Sequence, residues 1–576
     1  MKPCCITIFD IIRQCYYTEN LGGNDLFSST WNRLWEMHDQ VKDLFRLFVD
    51  PNSTKIVSKG REDESAKVTN DDGGGEYNKR SYTKAQLIGL ILGPVLFTLT
   101  LLFLNPEGLS IEAKGVLAST IWIATWWITE AIPIPATSLL PLVLFPLTNS
   151  LDIKTAASSY GDETIFLFMG GFVIALAMEK WNLHRRIAIT IIAAIGTNMD
   201  RIVLGFMVAT GFLSMWISNT ATAMMMMPIG LAIINQVANA LKDDPSIDTS
   251  PQQFAFGKAL MLGIAYSASL GGVATLIGTP PNTLLAGAIN KMYGIDLSFA
   301  EWMMFGVPFA WIFIFFTWVY LVKFAFPSKL KTLPGGRAVI ERQKVDLGPA
   351  STEEKLVFIV FLLAAFSWIT RSFLLSKFID GLSDGLIAIV FAIVLFIIPS
   401  VNRKGDRLMD WQTAVKLPWG ILLLFGGGLA IASGFVGTGL SEWIGSRLMG
   451  LEGVSVLVMI LLVSALVLAL TEITSNTATA SMMYPIMASL AVALGIHPYA
   501  LLIAAAVSAS CAFMLPVATP PNAVVFGSGY LRINDMMRAG FALNIFGIIL
   551  ITLSIYYALP LFWDIDLHSV PEVFKK

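Results

Sequence analysis

Ser218-Asn219-Thr220-Ala221-Thr222-Ala223 occurs twice in this chain, the second time as Ser475-Asn476-Thr477-Ala478-Thr479-Ala480. Carried on to Pro228 and Pro485, the two copies agree at nine of eleven positions. Each is followed by a second polar break in apolar sequence, Thr279-Pro280-Pro281-Asn282 in the first half and Thr519-Pro520-Pro521-Asn522 in the second. Two polar, helix-breaking elements recurring in one order in both halves of an apolar chain point to a substrate site at a repeat interface.

A single Ser-Asn-Thr reads most simply as a helix cap, because these side chains accept from the first free backbone N–H groups of a helix. A matched pair inside apolar sequence asks for more. A hydroxyl or amide buried without a partner costs about 1–3 kcal/mol, so two such clusters need something to bind. Capping and binding are compatible. A helix N-terminus aimed at the membrane midplane offers free N–H groups and the positive end of a dipole, which suit an anion. Asn219 and Asn476 add amide donors for a carboxylate, and Thr220 and Thr477 add hydroxyls. The Thr-Pro-Pro-Asn breaks supply the complement. Proline lacks an N–H, and the residue before it leaves the helical region. Unwound carbonyls facing a cavity are ligands for a dehydrated Na+, since hard cations prefer oxygen. Ordinary proline kinks are the bland alternative; matched copies downstream of matched motifs weigh against it.

The surroundings fit a membrane. The chain has 576 residues, of which 55% are hydrophobic and 14% charged, against about 25% charged in an average soluble domain. The expected fold class is an all-α polytopic membrane protein. A net charge of −2 gives no reason to expect nucleic acid. Cys4, Cys5, Cys15 and Cys511 lack the spacing of a zinc site or a secreted disulfide framework. His38, His184, His497 and His568 are scattered and form no metal set. There is no Walker loop, nucleophile elbow or two-histidine helix motif. A membrane enzyme would need nucleophile, base or metal ligands at one depth, and that reading is set aside.

Residues 1–85 differ from the rest. Trp31, Leu34, Trp35, Val41, Leu44, Phe45 and Phe48 recur at helical spacing among mixed charges, an amphipathic helix for the membrane surface or for the protein's own cytoplasmic face, the mixed charge favouring the second. A flexible linker follows at 59–84. No cleavable signal peptide is visible, so the first apolar run, from Leu87, is expected to act as an uncleaved signal.

Apolar segments are expected near 87–104, 113–130, 135–150, 164–180, 187–200 with 202–218, 221–240, 257–278 with 283–292, and 302–323. The second set lies near 356–373, 384–399, 414–440, 455–474, 477–494, 500–518 with 521–531, and 540–560. A crossing takes about 20 residues, and several of these are shorter or interrupted. About eleven crossings with two re-entrant hairpins and broken helices result. The domain expectation is a leader (1–85), a first repeat (86–322), a basic connector (323–355), a second, inverted repeat (356–565) and a tail (566–576).

Lys79, Arg80 and Lys84, then Lys180, Arg185 and Arg186, then the connector and Arg403, Lys404 and Arg407 form the dense basic clusters. Between the last two only Arg371 and Lys377 occur. The positive-inside rule places the amino terminus in the cytoplasm and the acidic tail (Asp564, Asp566, Glu572) outside. Phe168-Met169-Gly170-Gly171 and Phe425-Gly426-Gly427 precede the two motifs at similar distances, and an odd number of crossings between them inverts one unit relative to the other. Glu130, Glu179, Glu301 and Glu472 lie at or near spans, without the acidic ladder of a proton pump. Glu472 keeps two readings, a cation partner or a group in a water-filled vestibule. Met224 to Met227 read as adaptable packing behind a hairpin tip.

The paired Ser-Asn-Thr motifs, the paired Thr-Pro-Pro-Asn loops and Thr129-Glu130-Ala131-Ile132-Pro133-Ile134-Pro135 resemble the divalent anion/sodium symporter family, relatives of solute carrier 13, in its bacterial dicarboxylate branch. The resemblance covers roughly residues 85–565. It implies a homodimer in the lipid membrane with a scaffold and an elevator-type transport domain, each Ser-Asn-Thr at a hairpin tip. It implies one Na+ site at Ser214, Ser218, Asn219 and a glycine of Gly271-Gly272, taken as Gly272. The other would use Thr471, Thr474, Ser475, Asn476 and Pro520 with the carbonyl of Ala518. A dicarboxylate (succinate, malate or fumarate) would lie between, near Ser218, Asn219, Thr220, Ser475, Asn476, Thr477 and Thr519. No cofactor is expected beyond Na+ as coupling ion.

The motifs contain no Lys or Arg, so bound Na+ and helix dipoles must neutralise the dianion, and affinity for substrate should depend on sodium. A Na+-independent dicarboxylate exchanger of the same fold is one competitor; both motifs are intact, which favours symport. A Na+/sulfate or Na+/tricarboxylate symporter is another, and neutral site residues do not separate these.

Overall fold

Long apolar runs become helices because in lipid each backbone N–H must find its carbonyl within the segment. The structure, a computed structural model, describes residues 82–196, 198–241, 248–327, 336–448 and 453–574. The amphipathic segment at 31–48, the linker, Cys4, Cys5, Cys15, and Lys329 and Lys331 of the connector lie outside the described residues. Residues 85–576 form one compact unit. Among the described residues there is no β-strand, only an isolated bridge between Pro399 and Arg407.

The first half runs α1 (Lys84–Phe103), α2 (Ile111–Thr129), α3 (Ile134–Thr137), α4 (Leu140–Leu147), α5 (Ile153–Ser158), α6 (Glu163–Lys180), α7 (Leu183–Ile195), α8 (Met199–Ser214), α9 (Asn219–Ala240), α10 (Ala255–Val273), α11 (Pro280–Tyr293) and α12 (Phe299–Tyr320). After α13 (Gly336–Asp346) in the connector come α14 (Thr352–Thr370), α15 (Asp384–Ile397), α16 (Trp411–Ala414), α17 (Trp419–Gly437), α18 (Leu440–Leu448), α19 (Val456–Thr471), α20 (Asn476–Ala493), α21 (Pro498–Ala509), α22 (Pro520–Phe526), α23 (Ile533–Leu553) and α24 (Leu559–Trp563). The series α6 to α12 and α17 to α23 match in order, each with its Ser-Asn-Thr before the fourth helix and its Thr-Pro-Pro-Asn opening the sixth.

Among the described residues, seven helices are long and apolar enough to cross a membrane, and further apolar helices are shorter. The single span expected at 135–150 is two short helices. Pro133, Pro135, Pro141 and Pro146 cannot supply the N–H groups of a continuous helix. On α1, Ile91, Leu102 and Phe103 are exposed, an apolar flank suited to lipid.

The central helices are α10 and α21. Every residue of α10 from Phe256 to Val273 is buried, and α21 is buried from Ala500 to Ala509. α8 and α9 both pack on α10; α19 and α20 both pack on α21. The halves then interlock crosswise, α9 against α22 of the second half and α20 against α11 of the first. That reciprocity is the interface of an inverted-repeat membrane protein. A second group surrounds α6, which packs along α15, with α14 on α15 and α2 on α17. Buried Arg371, after α14, joins the groups at one end. It pairs with Asp384 and with Asp296, each at 2.7 Å, while Phe299 N–H at the start of α12 donates to Asp384 at 2.9 Å.

Candidate functional site

Each motif sits in a four-residue turn between two helices of a hairpin, Met215–Ser218 between α8 and α9 and Glu472–Ser475 between α19 and α20. The turns differ in how they cap. Ser218 Oγ accepts from Ala221 N–H at 3.2 Å. Ser475 is the N-cap residue by position, but its side chain accepts no capping bond, so capping accounts for one motif and not for the other.

Behind the turns lies a matched pair of oxygen cradles. In the first repeat the side-chain amide of Asn219 lies 2.6 Å from Ser214 Oγ, 3.0 Å from the Ala268 carbonyl and 3.2 Å from the Gly278 carbonyl. All three neighbours are oxygens, and Ser214 directs its one hydrogen at the Ala268 carbonyl, 2.6 Å away. Such a cluster is satisfied by an amide nitrogen turned inward or by a cation among the oxygens. In the second repeat Thr471 Oγ1 lies 2.7 Å from Asn476 Oδ1 and 2.8 Å from the Ala509 carbonyl. Again one hydroxyl hydrogen faces two acceptors.

Gly272 and Gly278 let the first cradle form. A Cβ at Gly272 would stand 2.6 Å from Asn219 Oδ1 and 3.0 Å from the Gly278 carbonyl, and one at Gly278 would stand 2.5 Å from the Gly272 carbonyl. Gly272→Ala is therefore expected to weaken cation binding in this cradle about tenfold or more, the cost of displacing one strong hydrogen-bonded ligand. Titration of the protein with Na+ checks this, with thermal unfolding as the control for folding.

The chain between each broken pair of helices is held by its own asparagine. Asn282 Nδ2 donates to the carbonyls of Gly272, Val273 and Thr275 at 3.2, 3.0 and 2.8 Å. Asn522 Nδ2 donates to Ala512 and Leu515, both at 3.1 Å. These partners stand ten and seven residues before the asparagine in both repeats, so the two loops are in register from Gly272 and Ala512 onward. The residue by which the second half is shorter is lost upstream, between Ala509 and Ala512 against Ala268 and Gly272. As a result α21 stops at Ala509 while α10 continues to Val273.

Early unwinding frees backbone N–H groups, and Glu472 takes them. Its carboxylate accepts from Phe513 N–H at 2.9 Å, Met514 at 3.0 Å and Leu515 at 3.3 Å, and from Asn544 Nδ2 at 2.6 Å. It is a buried anchor for the break, neither of the roles considered from sequence. Two tyrosines cross between repeats: Tyr484 donates to the Pro281 carbonyl at 2.6 Å, and Tyr266 to the Phe513 carbonyl at 2.9 Å. Sequence reasoning passed over these tyrosines and the roles of Asn282 and Asn522. The recurrence of asparagine at the same place in both loops was the available signal.

Both cradles face one cavity of about 680 Å³. Ser218, Asn219, Thr220, Thr474, Ser475, Asn476, Thr477, Ala518, Thr519 and Pro520 line it; Ser214, Gly272 and Thr471 stand one layer behind. The Thr474 hydroxyl is engaged with Thr479 and the Leu470 carbonyl. Phe168, Phe172, Ile421 and Leu424 form an apolar wall. No lysine or arginine is among the lining residues, and Glu130 is the one charged group there. Such a chamber has oxygens for cations and hydroxyl, amide and backbone donors for an anion, but no nucleophile–base pair.

Comparison with known proteins agrees with this geometry. Residues 84–564 match the family model described as the sodium:sulfate symporter transmembrane region. A sodium-dependent dicarboxylate transporter, SdcS, of Staphylococcus saprophyticus is 52% identical over 491 residues, covering 84% of this chain and 94% of that protein. SdcS of Staphylococcus aureus is 51% identical, covering 85% and 94%. Among solved structures, Neisseria gonorrhoeae MtrF superposes with a TM-score of 0.51 at 11% identity, covering 83% of this chain and 96% of that one. The Alcanivorax borkumensis YdaH transporter gives 0.51 at 15% identity, covering 76% and 98%. At these identities the two structures speak to the fold alone.

Proposed function

The chain belongs to the sodium:sulfate symporter family, and from that membership we propose that it is a Na+-coupled symporter importing C4-dicarboxylates such as succinate, malate and fumarate. The observation that carries the reading is the pair of oxygen cradles opening on one cavity without a basic side chain. One Na+ is held by Ser214, Ser218, Asn219 and Gly272, the other by Thr471, Thr474, Ser475, Asn476, Ala518 and Pro520. The dicarboxylate spans the space between, taking donors from Ser218, Asn219, Thr220, Ser475, Asn476, Thr477 and Thr519. With no Lys or Arg to balance two carboxylates, the bound cations and the N-termini of α9 and α20 do so. Cation and anion therefore bind best together.

The helix grouping supports an elevator. The hairpins, the broken helices, α12 and α23 cohere around α10 and α21 and move against α6, α14, α15 and α17. Glu130, Pro135, Pro418 and Gly420 are among the residues that line the cavity. The positive-inside rule supports an orientation with the amino terminus cytoplasmic and the carboxyl terminus outside. The working unit is a homodimer in the lipid membrane, with Na+ as coupling ion and no other cofactor.

Labelled succinate uptake into proteoliposomes, with an inward Na+ gradient or K+ at equal ionic strength, tests the proposal. Uptake with Na+ only, competed by malate and fumarate, is expected. Uptake that ignores Na+ but requires preloaded dicarboxylate would make the protein an exchanger. Competition by sulfate or citrate, but not by malate, would move the substrate class.

A further inference from the structure

Glu130 belongs to the Thr129–Pro135 motif, whose purpose the cradles leave unexplained. It follows the last residue of α2 in the left-handed region, at φ 48° and ψ 41°, a conformation that glycine takes freely and other residues adopt at a cost. Strain at one residue is a pointer to function. Its backbone N–H is tied to the Trp126 carbonyl, which fixes the residue at the C-terminal, negative end of α2. The following chain is pinned as well: Ala131 is buried, and Pro135 sits so close to α17 that a Cβ on Gly420 would lie 2.6 Å from its ring. Among the described residues the Glu130 carboxylate has no ion pair or hydrogen bond. It is exposed, and it lines the chamber that holds both cradles.

We propose that Glu130 is an electrostatic selector on the chamber wall, favouring the cation and opposing the dianion. This rests on the reading of the chamber as a Na+ and dicarboxylate site. Glu130 is the one formal charge on the chamber wall, so the unloaded chamber is negative, drawing in Na+ and repelling a dianion. Once both cradles are filled the balance is positive and the dianion enters. A unit charge about 10 Å from a dianion, at an effective dielectric constant of about 40–80, shifts the dianion's affinity about four- to fifteenfold and that of a monovalent cation about two- to fourfold. The two shifts have opposite signs. Loss of folding or of site shape would instead weaken both ligands together.

The test uses purified full-length protein and its Glu130→Gln and Glu130→Asp variants. Labelled succinate binding is measured at saturating Na+, and Na+ binding is measured without succinate. Glu130→Gln is expected to tighten succinate about four- to fifteenfold and to weaken Na+ about two- to fourfold, with Glu130→Asp close to the parent. A tricarboxylate trianion should gain more than succinate. The inference is overturned if the two affinities of Glu130→Gln do not move in opposite directions, or if Glu130→Asp reproduces its pattern. Should the parent protein show no Na+-dependent succinate binding, the dicarboxylate reading fails, and the role of Glu130 with it.

Discussion

Asn219→Ala and Asn476→Ala are each expected to cut Na+-driven succinate uptake by about a hundredfold or more while the protein still folds. In the proposed arrangement each asparagine serves two sites at once. Its amide closes an oxygen cradle behind the hairpin turn, 2.6 Å from Ser214 Oγ in one repeat and 2.7 Å from Thr471 Oγ1 in the other, and the same residue lines the chamber. Removing it takes one ligand from the cation and one donor from the anion. At about 1.5–3 kcal/mol for each charge-assisted contact, two such losses amount to about 3–6 kcal/mol, or more than a hundredfold. The folded state should tolerate the change better than transport does, because Asn219 and Asn476 themselves line a polar chamber, where water can take the place of the lost amide. Uptake, half-maximal Na+ concentration and thermal unfolding should be measured together. Asn476→Ala transporting with an unchanged Na+ dependence would remove the second cradle from the mechanism. Ser214→Ala and Thr471→Val refine the result. Each deletes one hydroxyl from one cradle and should raise the Na+ requirement while leaving the succinate concentration for half-maximal uptake at saturating Na+ within a fewfold.

The parts of this architecture that depend on local chemistry were legible in the residues. Apolar runs gave the helices, Pro280 and Pro520 marked where the broken helices resume, and the duplicated Ser-Asn-Thr located both hairpin turns. The short pair α3 and α4 reads as one span because residues 139–147 are apolar throughout, while the prolines from Pro133 to Pro146 keep each helix short. What stayed hidden depends on the path of irregular chain. The reach of Asn282 to carbonyls seven to ten residues back follows no helical or strand period. The crossing of Tyr484 to Pro281 joins residues from different repeats. The position of the one-residue difference between repeats was equally invisible, since residues 268–272 and 509–512 are all small or apolar except Ser269 and Ser510. Only the carbonyls chosen by Ala268's partner Ser214 and Ala509's partner Thr471 fix it.

That difference explains Glu472 and predicts its loss. In the first repeat α10 continues to Val273, and the residue matching Glu472 is Met215, whose carbonyl accepts from Thr275 Oγ1. In the second repeat the helix ends early, and the N–H groups of buried Phe513 and half-buried Met514 and Leu515 would lose their acceptor without the carboxylate. Glu472→Leu orphans those donors and the amide of Asn544 together. At about 1–3 kcal/mol for each buried unsatisfied group, even half that sum is a large share of the 5–15 kcal/mol that a folded protein commands. The expected result is protein that fails to accumulate or unfolds at a much lower temperature. Glu472→Gln keeps the shape and one accepting oxygen but places an NH2 against N–H groups, so it should fold with reduced thermal stability. Its half-maximal Na+ concentration should rise, because the segment it anchors runs on to Ala518, whose carbonyl is a ligand of the proposed second cation site. Glu472→Gln with parental Na+ dependence but lower stability would confine the carboxylate to folding. A raised Na+ requirement at unchanged succinate affinity would show that it positions the cation's ligands.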